Sequence, residues 1–291
     1  MIRANGAEER VPLSEILALI VSHPAVVFTH AVLSGIAANG GTFLVCDDKR
    51  LPIGMLLPLQ THFLQSERLT KQVAAPAPLK KQIWRQLIEA KIRAQAALLK
   101  YQNGDDGGLA ALSRLVVSGD TKNVESQAAQ RYWPLLLGDA FLRRPQGTDG
   151  VNIALNYGYA VLRSIVARSV CAVGLHPSLG VHHHNRYDAF CLANDLMEPF
   201  RPLVDRAVVD IVNLRGFDIA LDRDIKVDLI STLVKQRFVF ANEERTLPDW
   251  IGQLANSLAT VYAGSKRKLF IPEFKYVQKK SRENDAESTP F

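Results

Sequence analysis

Apolar positions are spaced differently on the two sides of residue 79. Ahead of it they come in short runs separated by turn residues. Residues 16–21 form one run, ended by His23-Pro24, and residues 42–46 and 51–57 form two more around Asp47-Asp48-Lys49-Arg50. Runs of this length bounded by turn chemistry predict strands. Asn5-Gly6 is a hairpin-turn signal between short extended pieces. Residues 28–38 have helical spacing that stops at Asn39-Gly40-Gly41. The run Ala74-Ala75-Pro76-Ala77-Pro78 has the composition of an interdomain linker.

Beyond residue 79 the period lengthens. Ile83, Leu87, Ala90, Ala94 and Leu98 recur at three- and four-residue spacing, which predicts a helix over 79–101 with one apolar face. Lys80, Lys81, Arg85, Lys91 and Arg93 are assigned to its other sides, as a solvated face or a phosphate-tracking stripe. A polar, Gly-rich loop follows at 102–108, and further helices are predicted over 109–117, 123–137, 151–173, 187–214, 225–240 and 247–262. The tail from 275 to 291 is highly polar and is expected to fray. The predicted fold class is α+β. A small β-rich N-terminal domain (1–73) and a linker (74–78) precede a larger, all-helical catalytic domain (79–291).

Composition narrows the class without naming it. With 47% hydrophobic and 22% charged residues in 291, the chain can bury a substantial core. A net charge of +6 suits a polyanionic partner but does not establish one. Cys46, Cys171 and Cys191 are widely separated, so neither a disulfide framework nor a CxxC zinc pair is indicated. Glu8, Glu9 and Arg10 interrupt any secretory signal, and Ser22, His23, Pro24, Thr29 and His30 interrupt the apolar stretch 16–38. A cytoplasmic protein is expected.

The segment 174–205 carries the densest candidate chemistry. Four of the seven histidines (His176, His182, His183 and His184) precede Asp195 and Glu198, which a helix would place on one face. Imidazole followed by two such carboxylates suits a divalent-metal site. A solvated His-Asn-Arg loop, with Asp195 paired to a nearby cation, suits the same residues, and spacing alone leaves both readings open.

Three motifs carry a resemblance. They are Asn123-Val124-Glu125-Ser126-Gln127-Ala128-Ala129 with Tyr132-Trp133; Val151-Asn152-Ile153-Ala154-Leu155-Asn156-Tyr157-Gly158-Tyr159; and Gly180-Val181-His182-His183 followed by Asp195-Leu196-Met197-Glu198-Pro199-Phe200-Arg201-Pro202. In this order they resemble the CRISPR-associated adaptation integrase family ("Cas-one"), and most of all its branch from type II systems. The resemblance implies a metal-dependent endonuclease and integrase that inserts new spacers into a CRISPR array. It implies metal ligands Glu125, His183 and Glu198, since the family's Gly-x-x-His pattern selects His183 over His182 and His184. Asp195 falls where the family has an acidic neighbour that tunes the site or binds a second ion. Mg2+ or Mn2+ is the implied ion, with manganese suited by the single imidazole.

The implied partners are double-stranded DNA, a second copy of the chain and a second adaptation protein ("Cas-two") that bridges two dimers. Arg186, Arg201 and Tyr157 are the candidate DNA contacts. The plainer alternatives are that Tyr157 and Tyr159 belong to the core and that Arg201 pairs with Asp195 or Asp205. Glu125 could be no more than a helix N-terminal charge. Pro199 and Pro202 are expected to shape the helix around them, His176 to be structural, and Lys266-Arg267-Lys268 to be solvated surface. Relatives carry further strands before the segment resembling 1–13, so the N-terminal domain is expected to lack its first strands. Two rival functions remain at this stage: a branched-DNA nuclease in repair, and a non-catalytic DNA-binding scaffold.

Overall fold

The computed structural model describes residues 2–4, 7–16, 18–21, 23–46, 52–56, 62–274 and 276. The expected Asn5-Gly6 turn and nearly all of the tail lie outside them. The short antiparallel pair β1 (Ile2–Ala4) and β2 (Ala7–Glu9) flanks that turn position. A three-stranded sheet follows, in the order β3 (Ala18–Val21), β4 (Thr42–Cys46), β5 (Pro52–Leu56). β3 and β4 are parallel, which demands a crossover, and α1 (His30–Ala38) supplies it. β4 and β5 are antiparallel, with a register shift between Val45 and Cys46. The three predicted strands and the helix between them stand where the sequence pattern placed them.

The next element was not anticipated. Gln65–Ala74 forms α2, and the expected linker is a tight junction from α2 into α3 (Ala77–Asn103), with Pro78 in the first turn of α3. α2 packs on the helical layer and holds a loop there through one buried side chain. Gln72 Nε2 donates to the carbonyls of His176 (2.9 Å) and Leu179 (3.0 Å), while Gln72 Oε1 accepts from the His176 amide at 2.8 Å. The chain entering the His-rich segment is therefore pinned from behind.

The helical layer continues with α4 (Leu109–Ser113), α5 (Val124–Leu137), α6 (Gly150–Ala172), α7 (Cys191–Met197), α8 (Arg201–Arg215), α9 (Arg223–Val234) and α10 (Leu247–Tyr262). α6 is the hub, packed by α7, α8, α9 and α10 and by strands β4 and β5. Arg168 Nε on α6 donates to the carbonyl of Gly40 at 2.6 Å, tying the sheet region to the hub. Gly158 lets α8 approach α6, because a Cβ there would lie 2.4 Å from Val204 Cγ1.

Two predicted helices break, each for a local reason. The stretch 187–214 divides into α7, a 3-10 turn at Glu198–Phe200 and α8, with Pro199 and Pro202 each near the start of a segment. The stretch 225–240 ends as helix at Val234, and Arg237–Phe240 becomes β6, paired with β7 (Glu243–Thr246). Ala241 and Asn242 take φ of +50° and +64°, the left-handed pair a two-residue hairpin requires. Phe238 is buried, and its carbonyl accepts from Trp250 Nε1 at 3.0 Å.

Candidate metal and nucleic-acid site

Three elements converge on the carboxylates. α5 begins at Val124 because Asp120 accepts from the amides of Val124 (2.9 Å) and Glu125 (3.0 Å), placing Glu125 in the first turn. Glu198 opens the 3-10 turn after α7 and is 3% exposed. Between them α3 delivers Lys91, whose Nζ lies 2.6 Å from both Glu125 Oε1 and Glu198 Oε2. Arg201 binds the other oxygen, Glu198 Oε1, at 2.7 Å and sits 4.3 Å over the ring of Tyr159. Burial opposes the Lys91 charge, yet Glu198 and Glu125 outweigh it and hold its pKa above the ordinary value. Burial likewise works against the Glu198 carboxylate, but Arg201 and Lys91 keep its pKa below the usual range.

The expectation of a solvated Lys91 fails for a geometric reason. Trp84, Ile88, Lys91 and Gln95 fall on one face of α3, and all four are buried, Lys91 at 8% exposure. That face meets the site rather than water. The signal was present in the sequence, since Lys91 lies four residues after Leu87 and seven after Trp84.

The His-rich loop is organised by Asp195, which is fully buried. Its Oδ2 accepts from the amides of Val181 (2.6 Å) and His182 (2.9 Å), and its Oδ1 from the His183 amide at 3.3 Å. Gly180 is needed for this closure, because a Cβ there would lie 2.3 Å from the His183 carbonyl oxygen. Asp195 Oδ1 also holds His183 Nδ1 at 2.5 Å, which leaves Nε2 as the ring nitrogen available to the cleft His183 lines. That hydrogen bond raises the pKa of His183, while burial and the neighbouring His183 lower that of His182. The two adjacent histidines differ in their surroundings. His182 stacks on Trp84 at 4.2 Å between ring centroids, whereas His183 has a side chain 48% exposed.

A cleft of about 450 Å3 opens over these groups, lined by Arg143, Asn156, Tyr159, Arg163, His183, Glu198 and Arg201 among others. Arg143 is braced by Asn152 Oδ1 (2.8 Å) and Asn156 Oδ1 (2.7 Å). Tyr159 donates to Asp205 Oδ1, and Tyr132 donates to Asp205 Oδ2 at 2.8 Å. Three arginines around one concave wall make a positive field suited to a phosphate backbone.

The family described as CRISPR associated protein Cas1 matches residues 1–224. The chain belongs to the Cas1 family. It is 36% identical over 275 residues to the CRISPR-associated endonuclease Cas1 of Neisseria meningitidis, covering 94% of this chain and 90% of that one. Its fold is shared with a casposase bound to integration product (TM-score 0.74, 22% identity, covering 87% and 80% of the two chains). It is shared equally with a CAS1 protein from Thermotoga maritima (TM-score 0.72, 17% identity, 91% and 92%).

The remaining candidates of this Cas1 chain divide clearly. Arg201 lines the cleft, and its salt bridge is to Glu198 rather than to Asp195 or Asp205. Tyr157 is buried in the core, with Lys226 Nζ 5.6 Å from its ring centroid. Arg186 is exposed, 4.7 Å over the ring of Tyr187, and does not line the cleft. Arg143 and Arg163, which no motif singled out, do line it. Both of Asp195's oxygens are committed to the loop, which speaks against a second ion there. Among the described residues no three His, Cys, Asp or Glu side chains stand close enough to hold a metal together. Glu198 Oε2 is nonetheless a buried oxygen without a well-aligned hydrogen-bond donor, and two carboxylates share one cation beside an available imidazole nitrogen. By type, two carboxylates and one imidazole are ligands that a hard divalent ion with one nitrogen donor takes, although in this arrangement Lys91 stands between the two carboxylates. Among the described residues no helix is long and apolar enough to cross a membrane.

Proposed function

We propose that this Cas1 chain is a divalent-metal-dependent DNA endonuclease and integrase of CRISPR adaptation, joining a new fragment to a repeat boundary. The observation that carries the reading is the Glu125–Glu198 pair, sharing one cation under a basic cleft lined by His183. Glu125, His183 and Glu198 would hold Mg2+ or Mn2+. The ion would polarise the phosphodiester and stabilise the leaving oxygen.

The chain's own groups do the rest. Asp195 fixes His183 with Nδ1 committed, so Nε2 is the nitrogen offered to the cleft. Arg201 orients Glu198 through Oε1, and Tyr159 supports the guanidinium from below. Arg143 and Arg163 neutralise the backbone of a strand laid in the cleft, and alignment of the attacking hydroxyl there lowers the barrier further. The 3′-oxygen of the fragment forms a bond to phosphorus as the bond from phosphorus to the repeat strand's 3′-oxygen breaks. The count of phosphodiester bonds is unchanged, so no nucleotide fuel enters. With water in place of the hydroxyl, the same geometry cleaves DNA.

The family relationship supports placing the chain in the type II branch, as a homodimer bridged by the second adaptation protein. Two-fold pairing suits joining both ends of one fragment to two strands. The test supplies a labelled fragment with a free 3′-hydroxyl and a supercoiled plasmid bearing the repeat, in Mn2+ or Mg2+. Joined product is expected, and it is lost in Glu125→Ala, His183→Ala and Glu198→Ala. Cleavage without joining would favour the repair-nuclease reading, and salt-sensitive binding with neither would favour the scaffold. Normal joining by His183→Ala would shift the nitrogen ligand to His182 or His184.

A further inference from the structure

The pair of carboxylates proposed as metal ligands already holds a cation, the ammonium of Lys91. Its Nζ is 2.6 Å from Glu125 Oε1 and 2.6 Å from Glu198 Oε2. The contact with Glu198 Oε2 is one of charge and not of alignment, for that oxygen accepts no well-formed hydrogen bond. Lys91 reaches the site from a buried face of α3. Two cations cannot occupy the space between the same two oxygens.

We propose that Lys91 is a displaceable internal counter-ion, holding Glu125 and Glu198 in the metal-free protein and expelled from between them when a divalent cation binds. The inference rests on the metal-dependent reading above. Without a cation, the buried Glu198 and the partly exposed Glu125, aimed at one point, would repel each other, and holding the Glu198 charge out of water would be costly. An ammonium on a four-carbon stem meets that need and can still swing aside, which a planar guanidinium braced on a ring cannot do as readily. Arg201 is the fixed cation of the site: it takes Glu198 Oε1, rests on Tyr159, and leaves Oε2 to whichever cation occupies the centre. The arrangement trades metal affinity for a fold that forms before metal arrives.

The test titrates Mn2+ into full-length wild type and Lys91→Met by calorimetry. Each is then melted in chelator and in saturating Mn2+. Lys91→Met should bind Mn2+ about tenfold tighter or more, the scale of removing one competing charge at a few ångströms from a partly buried site. It should also melt lower than wild type in chelator and gain more from Mn2+. Equal or weaker Mn2+ binding by a folded Lys91→Met overturns the inference while leaving the metal reading intact. If Lys91→Met does not fold in chelator, Mn2+ must restore its cooperative melt, and failure to fold in both conditions overturns the inference. Absence of Mn2+ binding by wild type removes the metal reading and the inference with it, a result distinct from the first.

Discussion

Asp195 and Glu198 lie three residues apart, both buried, at the end of α7 and the start of the turn that follows. Around Asp195 the partners are three backbone amides and the Nδ1 of His183. Around Glu198 they are two side-chain cations, Lys91 and Arg201, and one of its oxygens lacks an aligned donor. A carboxylate satisfied by backbone amides is committed, because releasing it would unmake the loop. One held by flexible cations can exchange a partner. The difference supports the proposal that the first serves architecture and the second chemistry, although spacing alone made them equivalent.

The largest effect expected is on chemistry, at Glu198. Glu198→Gln keeps the shape but removes the ligand charge, so strand transfer should fall by about 10²- to 10³-fold or more, the scale for losing a group that stabilises transition-state charge. The joining assay reads this, with circular dichroism confirming the fold; a fall below tenfold would erase the contrast.

Asp195→Asn should act first on stability. An amide cannot accept from three backbone donors with both of its polar atoms, so unfolding should become easier by about 3 kcal/mol in a denaturant titration. Transfer should also fall by about 10- to 100-fold through loss of the His183 brace. Unchanged stability would mean that the loop does not depend on Asp195.

Asp205 sharpens the comparison as a third buried carboxylate, held by the hydroxyls of Tyr132 and Tyr159. Burial raises its pKa to about 6 from an ordinary 3.8, against the lowering effect of the two tyrosines. The folded chain thus binds this proton more tightly than the unfolded chain. The linked stability is full below about pH 4 and is lost as pH rises through 6, by about 3 kcal/mol. The stability difference between wild type and Asp205→Asn, measured from pH 4 to 7, should shift against wild type over that window. A flat difference would place Asp205 with the committed carboxylates.

The smallest effect is at His182. Its ring stacks on Trp84 and does not line the cleft, so His182→Ala should cost about 0.5–1.5 kcal/mol in stability while joining persists. Loss of joining would end the distinction between His182 and His183.

Much of the architecture was legible from local signals. Strands β3, β4 and β5 fall within the runs at 16–21, 42–46 and 51–57 because length, apolarity and flanking turn residues all agree. The division of 187–214 was foreshadowed by Pro199 and Pro202. The hairpin at 237–246 was missed because an apolar run such as Phe238-Val239-Phe240 suits a helix as well as a strand, and Ala241-Asn242 is a weaker turn signal than Asn-Gly. α2 was missed because its sequence is mostly polar, and the partners of its anchoring side chains, Arg68 and the buried Gln72, lie far along the chain.

The sequence by itself carried the three motifs whose resemblance to the family implied the candidate ligands Glu125, His183 and Glu198, whereas spacing alone left a metal site and a solvated loop equally open. Only the tertiary structure decided that Lys91 faces inward, that Arg201 serves Glu198, that Tyr157 is core and that Asp195 braces the loop. Those outcomes depend on which faces of α3, α5, α6 and α8 meet. A charge on a helix is solvated or buried according to the helix packed against it, and local spacing carries no record of that neighbour.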